Sequence, residues 1–218
     1  MSWQLELAVE LGDRLRDQGG VEIAGSATAP ASLDGWSDLD LHVELVGSAQ
    51  PVDLLTGLPV WAIDDVRADD RQVLRVVLAD GRRLDLVVSG GSVAAPQGSV
   101  DNDVRFLAAL AAAKLGRGDH LIGYHLTLDL LRTCLVQAML LRDRDLGTTV
   151  HRTGSNRDAM ASEVAGVAVG SLAVLPRPTI VERAVALYAQ WRSELEPGYR
   201  PDWSGLNGVI ERGLAGPR

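Results

Sequence analysis

The chain has one cysteine, Cys134, and one lysine, Lys114. A single thiol cannot close an internal disulfide, which excludes the small secreted domains held together by such bridges. Long apolar runs are also missing. The longest stretch without a charged residue, Leu86 to Val100, has 15 residues and contains Gly, Ser, Pro and Gln. It is too short and too polar to span a bilayer. No signal peptide is visible, because Glu6, Glu10 and Asp13 interrupt the start of the chain. A soluble cytoplasmic protein is expected. Excess positive charge is absent as well: the net charge is −8, which argues against a protein that tracks a phosphate backbone. What is present is ordinary globular composition, 46% hydrophobic and 23% charged over 218 residues, enough for one large domain or two small ones.

The charge is uneven. Through Asn102 there are 7 Arg against 17 Asp plus Glu, a net of −10; from Asp103 onward 14 basic residues face 12 acidic ones, a net of +2. The hydrophobic pattern divides at the same place. Trp3, Leu7, Leu11 and Leu15 recur at helical spacing and stop at Gly19-Gly20. Val21 to Ala24 and Val60 to Ile63 read as strands, and Leu39, Leu41, Val43 and Leu45 alternate with Asp38, Asp40, His42 and Glu44. Val73–Leu78 and Leu84–Val88 flank Asp80-Gly81, the dipeptide of a tight hairpin. Ser89 to Ser99 reads as a linker.

Beyond it the chain looks entirely helical. Asp101 or Asp103 can cap a helix to about Leu115. A second helix runs from about Asp119 to Arg142, with Leu121, Tyr124, Leu128, Leu131, Leu135 and Met139 along one stripe. Others follow Asn156, span Thr179–Leu195, and close the chain near Leu206–Leu214. The expected architecture is an α/β (α+β) domain over residues 1–100 and an all-α helical bundle over 101–218.

The chemistry concentrates in Ala24-Gly25-Ser26 and, after eleven intervening residues, Asp38-Leu39-Asp40-Leu41. On a strand, residues two apart share a face about 7 Å apart along the chain, so Asp38 and Asp40 aim two carboxylates the same way. Carboxylates held this close repel each other unless a cation joins them, and hard cations such as magnesium take oxygen ligands. Asp85 is a third isolated acid, between Leu84 and Leu86. If its strand lies beside that of Asp38, the three carboxylates can hold two metal ions about 4 Å apart, the clamp for phosphoryl or nucleotidyl displacement. Gly25 allows close backbone approach to a phosphate, and Ser26 adds an N–H and a hydroxyl. Gly91-Ser92 with Asp101-Asn102-Asp103 is a decoy copy, lacking alternating leucines and a later isolated acid.

Gly25-Ser26, the spacer, Trp36-Ser37-Asp38-Leu39-Asp40 and the later Asp85 resemble the nucleotidyltransferase superfamily typified by DNA polymerase beta. Within it they are most similar to the bacterial aminoglycoside and lincosamide nucleotidyltransferases. The resemblance covers about 90 residues and extends weakly through Lys114-Leu115-Gly116-Arg117-Gly118-Asp119. Thr28-Ala29-Pro30 departs from it, since many relatives have a small residue followed by Arg-Gly there. The resemblance implies a mixed sheet followed by a helical domain. It also implies two Mg2+ ions on Asp38, Asp40 and Asp85, with ATP or another nucleoside triphosphate held by Gly25, Ser26 and Ser37. Asp38 and Asp40 would bridge the ions, and Asp85 would hold one and help deprotonate the acceptor. The implied reaction moves a nucleoside monophosphate, AMP in the first instance, to a hydroxyl of a small acceptor; an acidic half suits a cationic antibiotic. The alternatives are an adenylyltransferase acting on a protein or RNA, and an idle nucleotide-binding protein.

Lys114 shares a helical face with Leu107, Leu110 and Ala111. An inward ammonium needs an anion, and a triphosphate held between the domains would supply one, with Lys114 as a nucleotide-binding residue that neutralises the leaving pyrophosphate; the alternative is a lysine snorkelling from an apolar edge. Arg117 is a weaker candidate. His42 shares the strand face of the acids, and Trp36 is placed to stack on a ring or to pack a loop. His125 and Asp129 read as a helix-surface pair, Glu44 as a solvated acid, and Cys134 as a small core residue. Arg144-Asp145 with His151 matches a small-RNase spacing interrupted by Gly147-Thr148-Thr149.

Overall fold

The computed structural model describes residues 2–47, 50–68, 70–150, 154–172 and 177–216. Helix α1 (Trp3–Arg14) leads into β1 (Gly19–Ala24), a 3-10 turn at Gly25–Thr28, and β2 (Leu39–Leu45). Strands β3 (Val60–Ala68), β4 (Arg71–Leu78) and β5 (Arg83–Ser89) follow. The helices are then α2 (Asn102–Gly116), α3 (His120–Leu146), α4 (Met160–Leu172), α5 (Thr179–Leu195) and α6 (Ser204–Ala215). An α/β region followed by helices is thus what the chain forms. It divides into two compact units: Met1–Phe106 with Ser204–Arg218, and Leu107–Trp203. The last helix belongs to the first unit, and the division falls within α2.

In the first unit the sheet order is β1-β2-β5-β4-β3. Only the β2–β5 pair is parallel, so the sheet is mixed. Period-two alternation gives it one dry face. Leu39, Leu41, Val43, Leu84, Leu86, Val88, Leu74 and Val76 are buried with Leu7, Leu11 and Leu15 at α1. Each such side chain contributes roughly 1.5–3 kcal/mol on burial. The opposite face receives the alternate residues, among them Asp40, His42, Glu44, Asp85 and Arg75.

The β4–β5 connection is the tight hairpin that Asp80-Gly81 suggests, closed by a loop of three residues. The Gly81 amide donates to the Leu78 carbonyl and the Leu78 amide to the Arg82 carbonyl, both at 2.9 Å. Gly81 has φ +83°. This is a three-residue loop ending in a left-handed glycine. Gly81 is hemmed in by the backbone of Gly208 in α6, so neither position has room for a Cβ.

The segment after β5 is no free linker. Val93 is fully buried and forms a parallel bridge with Val52. The Gln72 side chain clamps it, donating to the Val93 carbonyl and accepting from the Val93 amide. At the sheet's edge, the Asn102 carboxamide accepts from the Ile63 amide at 2.9 Å and donates to the Ile63 carbonyl at 2.8 Å.

In the second unit, α3, α4 and α5 pack pairwise. The buried side of α3 is Gly123, Thr127, Leu130, Leu131, Cys134, Gln137, Ala138 and Leu141. The expected stripe is therefore split: Leu131 is buried, whereas Leu121, Leu128 and Met139 are exposed. The helix is apolar nearly all round, so periodicity did not select its buried face. Cys134 is core, its Sγ donating to the Ala184 carbonyl at 3.3 Å; burial pushes its thiol up to about 12. Arg144 and Asp145 join Arg157 and Glu194 in an exposed ion-pair network. His151, the third member of the RNase-like spacing, lies outside the described residues.

Candidate functional site

Strand register assembles the site. Ala24 pairs with Asp40, Asp40 with Asp85, Asp85 with Arg75, and Arg75 with Asp64. Register partners share a face, so these five residues form one row across the sheet's open side, with neighbours about 4.8 Å apart. One pleat earlier, Asp38 precedes β2 and lies opposite Arg83, because Leu39 pairs with Leu84. The structure thus brings Asp38, Asp40 and Asp85 onto one face.

Each acid has a specific setting. Arg83 Nη1 is 3.5 Å from Asp38 Oδ2; Arg83 is itself buried and donates to the Trp36 carbonyl. Arg75 Nη1 is 3.0 Å from Asp64 Oδ2, and its Nε is 3.8 Å from Asp85 Oδ2. Burial first, then the charges of Asp38 and Asp40, push the Asp85 carboxyl up to about 6; Arg75 and Arg83 pull the other way. The face therefore holds more negative charge than its two arginines offset. Among the described residues, no three His, Cys, Asp or Glu side chains stand close enough to form a ready-made metal centre.

Gly25 closes one side of the site. Its φ is +59°, and a Cβ there would overlap the Asp40 carboxylate. Only glycine lets the turn lie against Asp40. Ser26 follows, its carbonyl accepting from Ser32 Oγ at 3.2 Å. Ser37 is buried, and its hydroxyl donates to Asp34 Oδ1 at 2.9 Å while accepting from the Asp34 amide. It shapes the turn before Asp38. Trp36 is buried against Gly213 of α6, which makes it loop packing. An open cleft of about 340 Å³ is lined by Gly25, Asp40, His42, Arg75 and Asp85, with apolar contributions from Val73 and Val87. His42 is exposed at its edge.

Lys114 lies in the second unit, about a third exposed, with Nζ 3.6 Å from Asp119 Oδ2. Arg117 is exposed. His125 and Asp129 form the expected surface pair at 3.8 Å.

Arg75 and Arg83 are the residues that sequence reasoning missed. Arg83 was available from spacing, two residues before Asp85 on the same strand. Arg75 is an isolated cation in an apolar strand, as Asp85 is an isolated anion, but its place opposite Asp85 depends on the hairpin's loop length.

No family model matches the chain, and no curated protein matches it. Among the solved structures similar to it are two. One is the crystal structure of an aminoglycoside 6-adenyltransferase from Bacillus subtilis, at 12% identity and a TM-score of 0.34, covering 99% of each chain. The other is the polymerase core of TRAMP, an RNA surveillance complex, at 13% identity and a TM-score of 0.27, covering 90% of this chain and 58% of that one. Among the described residues, no helix is long and apolar enough to cross a membrane.

Proposed function

We propose that this chain is a magnesium-dependent nucleotidyltransferase that moves a nucleoside monophosphate, AMP in the first instance, from a nucleoside triphosphate to a hydroxyl of a small cationic acceptor. One observation carries this reading: Asp38, Asp40 and Asp85 share the open face of a rigid sheet, with the Gly25 turn laid against Asp40. The donor set suits a hard divalent cation, being all carboxylate oxygen. Burial first, and then the charges of Asp38 and Asp40, raise the Asp85 pKa, and a bound cation would offset those two charges.

Asp38, Asp40 and Asp85 would hold the metal. Bound there, magnesium supplies Lewis acidity, lowering the acceptor hydroxyl's pKa and offsetting phosphate charge. Gly25 leaves its backbone open to the outer phosphates, and Ser26 adds an amide and a hydroxyl beside it. The acceptor oxygen bonds to the α-phosphorus as the bond from that phosphorus to the β-bridging oxygen breaks. Pyrophosphate leaves, and the acceptor proton passes to Asp85. The net charge of −10 through Asn102 supports a cationic acceptor over an RNA.

The test is a pyrophosphate-release assay with magnesium, each of the four ribonucleoside triphosphates, and a panel of aminoglycosides and lincosamides. Release that depends on one acceptor, with a product heavier by one nucleoside monophosphate, is the expected result. Label appearing instead in protein or RNA of a cell lysate moves the acceptor to a macromolecule. Nucleotide binding with no release across the panel and the lysate overturns transfer altogether.

A further inference from the structure

We propose, on the nucleotidyl-transfer reading above, that Val73 and Val87 are the floor on which the acceptor lies, with His42 at its border. The reacting hydroxyl then belongs to a ring that offers an apolar C–H face. The observation is the second row of the sheet's open side. Glu22 pairs with His42, His42 with Val87, Val87 with Val73, and Val73 with Val66. This row lies one pleat, about 7 Å, along the strands from Asp40, Asp85 and Arg75. The row after it is polar again, with Glu44 paired to Ser89 and Ser89 to Arg71. An apolar strip thus crosses β5, β4 and β3 between two polar rows, and water reaches it: Val66 is 46% exposed, and Val73 and Val87 are partly exposed.

The place of the strip relative to the carboxylates gives it a use. The Gly25 turn lies against Asp40 on the β1 side, where the transfer reading puts the outer phosphates. In-line displacement needs the acceptor on the opposite side of the α-phosphorus. From β1 the sheet runs through β2 to β5 and β4, so the opposite side is over β5 and β4, where Asp85, Val87 and Val73 stand. One cleft of about 340 Å³ takes in the Gly25 turn, the Asp40 and Asp85 positions and both valines. Small-molecule sites combine such apolar walls with a few placed polar groups. Arg75 borders the floor but turns its Nη1 to Asp64, 3.0 Å away. A ring laid on the valines takes its C–H face and theirs out of water while its hydroxyl reaches Asp85. His42 stands opposite Val87 and diagonal to Asp85, near enough for its imidazole to meet a second polar group of the ring. The hydroxyl of a serine side chain brings no such face.

Methyl NMR on the full chain with labelled valine tests the floor directly. The additions are magnesium, α,β-methylene ATP as an unreactive donor, and each aminoglycoside or lincosamide that supports pyrophosphate release. The Val73 and Val87 methyl resonances should move when the acceptor is added, while those of Val43 and Val88, buried on the dry face, stay in place. Kinetics supply the second readout. Val73→Thr combined with Val87→Thr keeps shape and strand preference, and should raise the acceptor KM about ten-fold or more with the triphosphate KM unchanged. His42→Ala should raise the acceptor KM too, His42→Asn recovering part of the loss, with manganese affinity by electron paramagnetic resonance the same in all three. Unmoved Val73 and Val87 methyls with acceptor bound, or an acceptor KM indifferent to the double substitution, overturns the floor. Weaker manganese binding in His42→Ala makes His42 a metal ligand and overturns its place at the border. Absence of pyrophosphate release with every acceptor is a different result: it overturns nucleotidyl transfer itself, and the acceptor floor with it.

Discussion

Asp40 and Asp85 are direct register partners on the two parallel strands of an otherwise antiparallel sheet. Two like charges so placed repel, and the repulsion is built into the backbone rather than into rotamers. Burial first, then the charges of Asp38 and Asp40, push the Asp85 carboxyl up to about 6.

Asp38→Asn and Asp40→Asn should each abolish acceptor-dependent pyrophosphate release, because an amide of equal size cannot replace an ionised metal ligand. Their stabilities should diverge. Asp40→Asn relieves repulsion at Asp85, so its melting temperature holds or rises. Asp38→Asn weakens a pair with the buried Arg83 guanidinium, so its melting temperature falls. Turnover near the wild-type rate in either variant, at saturating triphosphate and magnesium, sinks the metal assignment.

Asp85 gives stability a pH dependence of known sign. Its folded pKa lies above its ordinary value, so the protonated form is favoured by folding; that contribution is complete below about 4 and is lost as pH rises through about 6. Asp85→Asn removes the group's ionisation. Melting temperatures of the metal-free proteins should therefore match near pH 4 and separate above pH 6, the variant being higher. Parallel curves from pH 4 to 8 would show that Asp85 ionises without strain.

Arg75 offsets part of the charge at Asp85. Arg75→Met should raise the Asp85 pKa further, read as a shift of its carboxyl resonance in a carbon NMR titration. The same change should tighten manganese binding, measured by electron paramagnetic resonance, because a cation that competes for the carboxylate has gone. An unmoved resonance would place Arg75 wholly with Asp64.

Gly25→Ala should lose more activity than stability. A left-handed alanine costs about 1–2 kcal/mol, whereas its Cβ must displace the Asp40 carboxylate itself. Melting temperature and turnover measured on one preparation distinguish the two effects; equal turnover would show that Asp40 can move without consequence.

Much of this was legible in the residues. Alternating leucines placed β2, and isolated acids between leucines located Asp40 and Asp85, because a charge in an apolar strand must face away from the core. The hairpin was legible in existence but not in register. A two-residue turn at Asp80-Gly81 would set Asp85 opposite Val76; the three-residue loop sets it opposite Arg75, and that one-residue difference decides which face the arginine joins. The buried side of α3 was illegible for another reason: with leucines all round, only its neighbours select the side that is covered. The covering of the sheet by α6 was invisible too, since it depends on glycines meeting Trp36 and the Asp80-Gly81 turn from the far end of the chain.

Strand β3 lies at the margin of the sheet, where unpaired amides and carbonyls invite a foreign strand. Midway along it the Asn102 side chain already occupies the amide and carbonyl of Ile63, imitating one residue of a sixth strand. An incoming chain must first evict that carboxamide, which is tied to the first turn of α2. Growth at this edge is therefore opposed midway along β3 by the Asn102 carboxamide, and the residue that begins a helix also guards this margin of the sheet.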